Sequence, residues 1–467
     1  MQTIERLAAA IQISEETATS LTETALARLA PLSALNALAH IDEASALAAA
    51  AKVDEARSSG APLGPLAGIP MAHKDLFFRK DRVCDCGSRV LANYRPTETA
   101  TVLERLDDAG AIDLGTLHMA EIAMSPTGFN AHFGHGRNPI NPDYISGGSS
   151  SGSAIAVAAS AIPAALGTDT GGSVRHPAAA CGLTGLKPTQ GGISLAGVMR
   201  LAPGLDTVGP LARTAADVAA IVEVIRGPDE RDPATLGAAK GPLFNQIRQP
   251  ARGLSINRVR GYYDESLDTQ IDATLTQLCK TLAELGVKVG ESRIENMDNE
   301  HAMAQLTLTC EASAEFHDAL THHPRQIAPQ VRARISSGLK CMATDYVRAR
   351  YQRKAIRDAW VNAAIGTADL ALLPIFPIPV PTISATTEGT PEQIADTIAL
   401  LTRNTRAINY LGLPALALPA GICGNGLPIG VQLVGRPWAE HTLLQIGHAF
   451  QMITEWHLIS PQGLVAD

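Results

Sequence analysis

The chain has 467 residues, of which 46% are apolar and 18% are charged, and 46 acidic against 38 basic side chains leave a formal net charge of −8. This composition can bury a large core and excludes a disordered chain, and the acidic balance argues against a protein that tracks nucleic-acid phosphates. No uninterrupted apolar run of about 20 residues occurs, which argues against a membrane span. The seven cysteines are scattered, which indicates free thiols in a reducing, cytoplasmic setting.

Hydrophobic periodicity predicts a chain that alternates between helices and strands. Residues 1–57 are predicted to form an N-terminal helical segment packed on the core. Helices are then predicted at 101–109, 154–161, 267–285 and 442–452, and the stretch 300–360 is mostly helical. Strands are predicted at 69–72, 111–115, 164–168, 254–262, 287–289, 370–374, 415–418 and 429–434. The strand–helix–strand unit at 254–289 is typical of an α/β fold with a mixed or parallel sheet and outer helices.

One segment departs from the composition of the rest. Gly147–Gly197 spans 51 residues, for which the chain average of 18% predicts about nine charges, yet three occur: Asp169, Arg175 and Lys187. The same segment has eleven glycines and no aromatic residue. A long, nearly uncharged, glycine-rich stretch indicates buried and closely packed backbone. Charges are costly in such surroundings unless they are paired or used.

Within this segment, Gly167–Arg175 reads Gly-Thr-Asp-Thr-Gly-Gly-Ser-Val-Arg. A strand is predicted to end there, and the two glycines allow a tight turn before a helix begins. The N–H groups of Thr170, Gly171 and Gly172 would then point into one concavity, which can bind an oxyanion. Ser173 lies at the end of this nest, where acyl transfer needs a nucleophile.

A serine hydroxyl is a weak nucleophile and needs a base, for which Lys74 is the natural candidate. It ends an apolar strand, and Asp75 is the only charged residue near it. Desolvation can lower a lysine pKa from about 10.4 toward 7–8, where the neutral amine acts as a base. On this local context alone, the alternative that Lys74 is an exposed strand-end lysine stays open. His176, three residues after Ser173, is the weaker candidate.

These motifs together resemble the amidase signature family of serine hydrolases. The resemblance rests on five segments, which are Gly68–Asp75 (Gly-Ile-Pro-x-x-x-Lys-Asp), Gly147–Ala154 (Gly-Gly-Ser-Ser-Ser-Gly-Ser-Ala), Gly167–Arg175, Gly182–Thr189 and Leu413–Leu433. In the family the nucleophile lies 24 residues after the first serine of the Gly-Gly-Ser-Ser run. Ser173 and Ser149 have this spacing.

The resemblance implies both a fold and a mechanism. It implies one large α/β domain over residues 58–467, with a large mixed, mostly parallel twisted sheet surrounded by helices and a variable helical middle at about 300–365. It also implies that Ser173 is acylated, that Ser149 bridges after a cis peptide bond, and that Lys74 is the base. The implied reaction hydrolyses the carbon–nitrogen bond of a small non-peptide substrate through an acyl-enzyme, with no metal or organic cofactor. Aryl amides, aliphatic amides and carbamates all stay open as substrates.

Other residues receive supporting roles in this prediction. Asp169 and Arg175 flank the nest and could pair to hold it rigid, and Ser150 could support Ser149. By family spacing, Met124 and Ser125 fall in the stretch that lines the acyl pocket, although plain core packing of Met124 stays open.

Two readings outside the family are weaker. Gly148–Gly152 also fits the G-x-S-x-G elbow with Ser150 as nucleophile, but that elbow needs a preceding strand and the sequence offers a loop. A phosphate-binding module would need a phosphate-loop motif, and none occurs.

A rival inside the family is the glutaminase component of a tRNA-dependent amidotransferase, which would need a partner protein. Such components carry an acidic residue shortly before the position of Asn409, and here 400–405 has no carboxylate. We therefore expect a stand-alone amidase. It would act on a small-molecule amide, without nucleic acid or membrane, and could form a homodimer.

Overall fold

The structure of the protein is a computed structural model, and it describes residues 3–238, 241 and 243–460. Residues 1–2 of the predicted N-terminal segment and 461–467 of the predicted domain therefore lie outside the described residues, as do 239, 240 and 242. Across the described ranges, no helix is both long enough and apolar enough to cross a membrane.

Within the described residues, the strands form one eleven-stranded sheet in the order β1-β3-β2-β4-β6-β5-β10-β11-β9-β7-β8. The strands are β1 (Leu38–Ile41), β2 (Pro70–Lys74), β3 (Ile112–Leu117), β4 (Ala164–Asp169), β5 (Thr184–Lys187), β6 (Thr207–Ala212), β7 (Ser255–Gly261), β8 (Lys288–Ile294), β9 (Leu370–Pro374), β10 (Ala415–Ile422) and β11 (Pro428–Gly435).

The fold is α/β with a large mixed sheet, as the sequence predicts. The part of that prediction that fails is the direction of the strands, because antiparallel pairings outnumber parallel ones. For β10 and β11 the physical reason is local connectivity, because a hairpin needs only a short connection whereas parallel strands need a crossover. β6 also runs antiparallel to β4 and β5, from which longer segments separate it.

Helices cover both faces of this sheet. They are α1 (Ile4–Gln12), α2 (Ala18–Leu29), α3 (Glu43–Ser58), α4 (Thr101–Asp108), α5 (Ser151–Ala158), α6 (Arg175–Cys181), α7 (Ala215–Ile225), α8 (Thr269–Glu284), α9 (Asp298–Glu315), α10 (His317–His322), α11 (Pro329–Ser336), α12 (Ala343–Ala364), α13 (Pro391–Thr402), α14 (Arg406–Leu411) and α15 (Glu440–Gln451). Successive residues of β4 join different cores, since Ala164 and Leu166 pack in one hydrophobic cluster and Ala165 in another. Alternation of this kind places the two cores on opposite faces.

Two element boundaries differ from the prediction. The apolar helix begins at Ser151 rather than at 154, because its serines are buried and hydrogen-bonded: Ser151 Oγ lies 2.8 Å from His118 Nδ1, and Ser153 Oγ donates to Leu166 O at 3.0 Å. The N-terminal segment also contains a strand, β1, which pairs antiparallel with β3 at the edge of the sheet. This pairing partner lies about 75 residues later, so local periodicity does not reveal it.

Candidate active site

Two adjacent parallel strands deliver the first groups of the site to the same edge of the sheet. β2 ends at Lys74 and β4 ends at Asp169, and the two strands pair directly. The Lys74 side chain is fully buried. Its Nζ donates to Ser149 Oγ at 2.7 Å and to Thr168 Oγ1 at 2.9 Å. The alternative of an exposed strand-end lysine is therefore wrong.

Burial also sets the protonation of this lysine. Removal from water lowers the pKa of Lys74 to about 7, and the nearby carboxylates of Asp206 and Asp169 oppose that shift in part. A substantial fraction of the side chain is then a neutral amine at neutral pH. A neutral amine beside a serine hydroxyl can accept its proton.

The serine-rich loop lies against the end of β4. The peptide bond between Gly148 and Ser149 is cis. Ser150 N donates to Ser173 O at 3.3 Å, and Ser150 Oγ donates to Thr168 O at 3.4 Å. Ser150 thus connects the loop, the strand end and the Ser173 turn, and its role as a support for Ser149 stays a prediction.

Ser173 faces the cavity described below and is 8% exposed. Among the described residues, its hydroxyl has no hydrogen-bond partner. The Lys74–Ser149 half of the expected relay is thus in hydrogen-bond contact, while the Ser149–Ser173 half stays a prediction.

A buried ion pair lies behind the nest. Arg175 Nη2 donates to Asp169 Oδ1 at 3.0 Å, and Arg175 Nε donates to Asp169 Oδ2 at 3.0 Å. Arg175 also donates to Gln432 Oε1 at 2.8 Å and to Asn409 Oδ1 at 2.6 Å. Both members of the pair are fully buried, and the Arg175 charge holds the pKa of Asp169 below its usual range against the cost of burial. The pair ties the turn to β11 and α14, and neither residue lines the cavity.

The predicted oxyanion nest needs one correction, at Gly172. Its N–H donates to Asp169 Oδ1 at 2.8 Å and is therefore not free for an oxyanion. Gly172 has φ +127°, and a Cβ there would lie 2.1 Å from His176 Nε2, so only glycine fits. The N–H groups of Thr170 and Gly171 have no acceptor in the part of the chain that the structure describes. The Thr170 hydroxyl is fixed by Asp206 Oδ1 at 2.5 Å.

His176 is held by packing and a hydrogen bond, and its surroundings disfavour a role as base. It is buried, its ring stacks on Phe376 with centroids 5.5 Å apart, and its Nε2 lies 2.7 Å from Thr405 Oγ1. Burial lowers the pKa of His176 to about 3. Lys187, the third charge of the glycine-rich segment, is also fully buried, and its Nζ donates to Pro188 O at 2.8 Å.

A small cavity opens in front of Ser173, with a volume of about 40 Å³. By this measure it holds roughly three water molecules. Met124 and Ser125 line it, and its place as an acyl pocket stays a prediction; the other residues around it are Ala123, Pro126, Thr170, Gly171, Ser173, His176, Leu201, Leu308, Arg334, Thr402 and Arg406.

Four residues of this site are absent from the sequence-based prediction. Thr168 lies inside the Gly167–Arg175 motif, but nothing in the motif distinguishes it as a partner of Lys74. Asp206 lies outside the motifs, far from Thr168 in the sequence. Arg334 lies in the region that the sequence predicts only as a variable helical middle. Arg406 directly follows the segment 400–405, for which the sequence analysis notes only that it has no carboxylate. Their approach to Ser173 depends on how α11 and α14 pack.

Comparison with known proteins shows the family of the chain. Residues 20–444 match the family model described as Amidase. The chain belongs to the amidase family. It is accordingly an enzyme of the class that hydrolyses carbon–nitrogen bonds, as the motifs predict.

Relatives within this family extend over nearly the whole chain. A glutamyl-tRNA(Gln) amidotransferase subunit from Chloroflexus aurantiacus is 36% identical over 99% of both chains. The equivalent protein of Coxiella burnetii is 36% identical over 85% of this chain and 86% of the relative. Among solved structures, one described as a vestigial protein complex that reveals the origins of an s-triazine catabolic enzyme has a TM-score of 0.88, with 32% identity over 97% of this chain and 98% of that chain.

These relatives correct the expected partners. We expected a stand-alone enzyme with a small-molecule substrate, no nucleic acid and at most a homodimer. The full-length relatives are instead named as one component of an enzyme that acts on a glutamyl-tRNA, and the similar structure is described as a complex. The missing carboxylate at 400–405 does not outweigh identity of this extent.

Proposed function

We propose that the chain is the amide-hydrolysing component of its assembly and works through Ser173, Ser149 and Lys74. The observation that carries this proposal is the 2.7 Å contact between Lys74 Nζ and Ser149 Oγ in a fully buried setting. The second lysine contact, to Thr168, aims the amine. When the amine donates to Thr168 it keeps its lone pair for the Ser149 proton.

The steps of this mechanism balance without an added group. Neutral Lys74 accepts the Ser149 proton while Ser149 accepts the Ser173 proton, and Ser173 Oγ attacks the amide carbonyl. The N–H groups of Thr170 and Gly171 stabilise the resulting oxyanion. The carbon–nitrogen bond breaks, the amine leaves with the relayed proton, and water then hydrolyses the acyl-enzyme to a carboxylic acid.

Labelling with a fluorophosphonate probe tests the nucleophile. The native chain should acquire one phosphonyl group, and the Ser173→Ala variant should acquire none, because the probe reacts only with an activated serine. Peptide mapping by mass spectrometry locates the label. Full labelling of Ser173→Ala, or a label on Ser150, would assign the chemistry to another serine.

The relatives favour a second, narrower candidate, the glutaminase component of an amidotransferase. In that function glutamine hydrolysis would depend on partner proteins and on an acceptor tRNA. The test purifies the tagged chain from its own cells, identifies co-purifying protein and RNA, and measures ammonia release from glutamine with and without them. An increase in ammonia release when the co-purified fraction is added supports this candidate. An equal rate of ammonia release with and without the fraction argues against it.

A further inference from the structure

Three side chains that can bind a metal ion meet near the β1 edge of the sheet, away from the Ser173 cavity. His40 lies in β1, Asp75 directly follows β2, and Asp85 lies in the loop after β2. One ring nitrogen of His40 and one carboxylate oxygen of each aspartate all lie within 4.8 Å of one another. None of the three residues lines the cavity of Ser173. We refer to these three residues as the edge cluster.

The order of the strands brings the edge cluster together. β3 lies between β1 and β2, and Thr116 of β3 is the register partner of both His40 and His73. The His40 N–H also donates to Thr116 Oγ1 at 3.2 Å. Asp75 N donates to Leu117 O at 3.0 Å, which extends the pairing with β3 by one residue beyond β2. The imidazole of β1 and the carboxylate after β2 therefore lie at the same place along the sheet.

Asp75 has a carboxylate oxygen without a hydrogen bond. The residue is 2% exposed, and within the described residues its Oδ1 has no hydrogen-bond partner. Burial of such an oxygen is costly, because the oxygen loses its contact with water and gains no hydrogen bond in return. In folded proteins these atoms are normally satisfied by protein, water or an ion. A partner that lies between Asp75, His40 and Asp85 would satisfy it.

The charges of the edge cluster favour a cation as that partner. His40 Nε2 lies 2.9 Å from Asp85 Oδ2, and among the described residues no lysine or arginine forms an ion pair with Asp75 or Asp85. Arg82, which lines a surface cavity together with His40, pairs with Asp42 at 3.3 Å. Two neighbouring carboxylates repel each other. A divalent cation between them would replace this repulsion with attraction.

The ligand atoms determine the kind of ion. An imidazole nitrogen with carboxylate oxygens suits zinc and related first-row divalent ions, whereas calcium and magnesium prefer oxygen ligands alone. Zinc lies about 2.0–2.2 Å from such atoms, so small side-chain rotations bring all three ligands onto one ion. The His40 side chain is 44% exposed, which leaves the outer side of the ion open to water.

The loop that carries Asp85 already orients its carboxylate. Asp85 Oδ1 accepts a hydrogen bond from Asn93 N at 2.7 Å, while Oδ2 faces His40. Hydrogen bonds of this kind orient metal-binding carboxylates. The flanking thiols of Cys84 and Cys86 are buried, their sulfurs lie 3.8 Å apart, and neither belongs to the edge cluster. The ligands on offer are therefore nitrogen and oxygen, without sulfur.

We propose that His40, Asp75 and Asp85 bind one divalent ion of the zinc type, which links the edge strand β1 and the loop of Asp85 to the end of β2. The role of the ion is structural. Asp75 directly follows Lys74, so the ion holds the end of the strand that carries the proposed base. This site lies outside the proposed hydrolysis at Ser173 and takes part in none of its steps.

Zinc titration of the untagged chain, freed of metal by a chelator and dialysis, tests the site. We expect one zinc equivalent to bind in calorimetry and to raise Tm, as any ligand of the folded state does. His40→Gln and Asp85→Asn should each weaken zinc binding at least about tenfold, since loss of even a supporting residue around a metal costs that much. Absence of saturable zinc binding by the native chain, or unchanged affinity in either variant, would overturn the proposal.

Two features of the variants separate lost ligands from general disruption. Asp85→Asn keeps an oxygen for the hydrogen bond from Asn93, and circular dichroism of the metal-free variants checks their folding. His132→Gln is the matched control, because His132 Nε2 also lies 2.9 Å from a carboxylate, that of Glu121, but belongs to no three-ligand group within the described residues. It should bind zinc like the native chain. An equal loss of zinc binding in His132→Gln would contradict the assignment.

Cobalt in place of zinc identifies the ligand type. Cobalt bound by nitrogen and oxygen gives weak visible bands, whereas a cysteine thiolate adds an intense charge-transfer band in the near ultraviolet. We expect no such band, and a band that disappears in Cys86→Ser would place the ion on the thiols and overturn the proposal. Fluorophosphonate labelling of Ser173 keeps the two proposals apart: normal labelling without zinc binding overturns this inference alone, and zinc binding without labelling overturns the proposed function alone.

Discussion

The charged side chains on the two sides of Ser173 differ in whether they form ion pairs. Behind the serine, Asp169 and Arg175 are fully buried and satisfy each other. In front of it, Arg334 and Arg406 are partly buried and have only neutral partners. A paired charge in a protein interior fixes the backbone, and an unpaired charge beside a cavity is available to a ligand. The first region therefore holds the backbone of the turn in place, and the second leaves two cationic groups at the cavity without an acidic partner among the described residues.

We expect the largest effect on turnover from a substitution of Lys74, the proposed base. Lys74→Met should lower kcat by about 10²–10⁴-fold, because the proton acceptor is lost, with little change in KM. Lys187→Met is the matched control, since burial lowers its pKa to about 7 as well and it touches no serine. Steady-state kinetics of both variants check the prediction. A comparable kcat loss in Lys187→Met would mean that general disruption, and not base removal, explains the effect.

The next effect is on stability, and it compares the ion-paired Arg175 with Arg406, which has only neutral partners. Arg175→Met should lower the free energy of unfolding by about 3–5 kcal/mol, because Asp169 would remain buried without its partner. Arg406→Gln should lower it by less than Arg175→Met does, because Arg406 leaves behind neutral partners and no buried charge. Chemical denaturation followed by circular dichroism measures both. Similar losses in the two variants would remove the distinction between paired and unpaired charges.

The smallest effect appears in the pH dependence. The pKa of Lys74 is about 7, and only its neutral form accepts a proton, so kcat should fall about tenfold per unit as the pH drops below 7. An acid limb that survives in Lys74→Met would require another base.

The prediction from sequence was strongest where strands and motifs coincide. The strand that leads to Lys74 and the strand that leads to Thr168 were predicted because a short apolar run bounded by glycine and proline is a local property. The serines were assigned by their spacing and by the family resemblance. Gly172 was assigned wrongly, because whether an N–H is free depends on the Asp169 side chain that reaches back to it.

The sequence by itself determined the α/β class and the strand that leads to Lys74, and it predicts the roles of the two serines. The tertiary structure decided the rest: the mixed strand directions, the burial that lowers the pKa of Lys74, and the approach of Arg334 and Arg406 from separate helices. The physical reason is that strand and turn propensities act over a few neighbouring residues. Desolvation and charge pairing depend on groups that only the packed sheet and helices bring together.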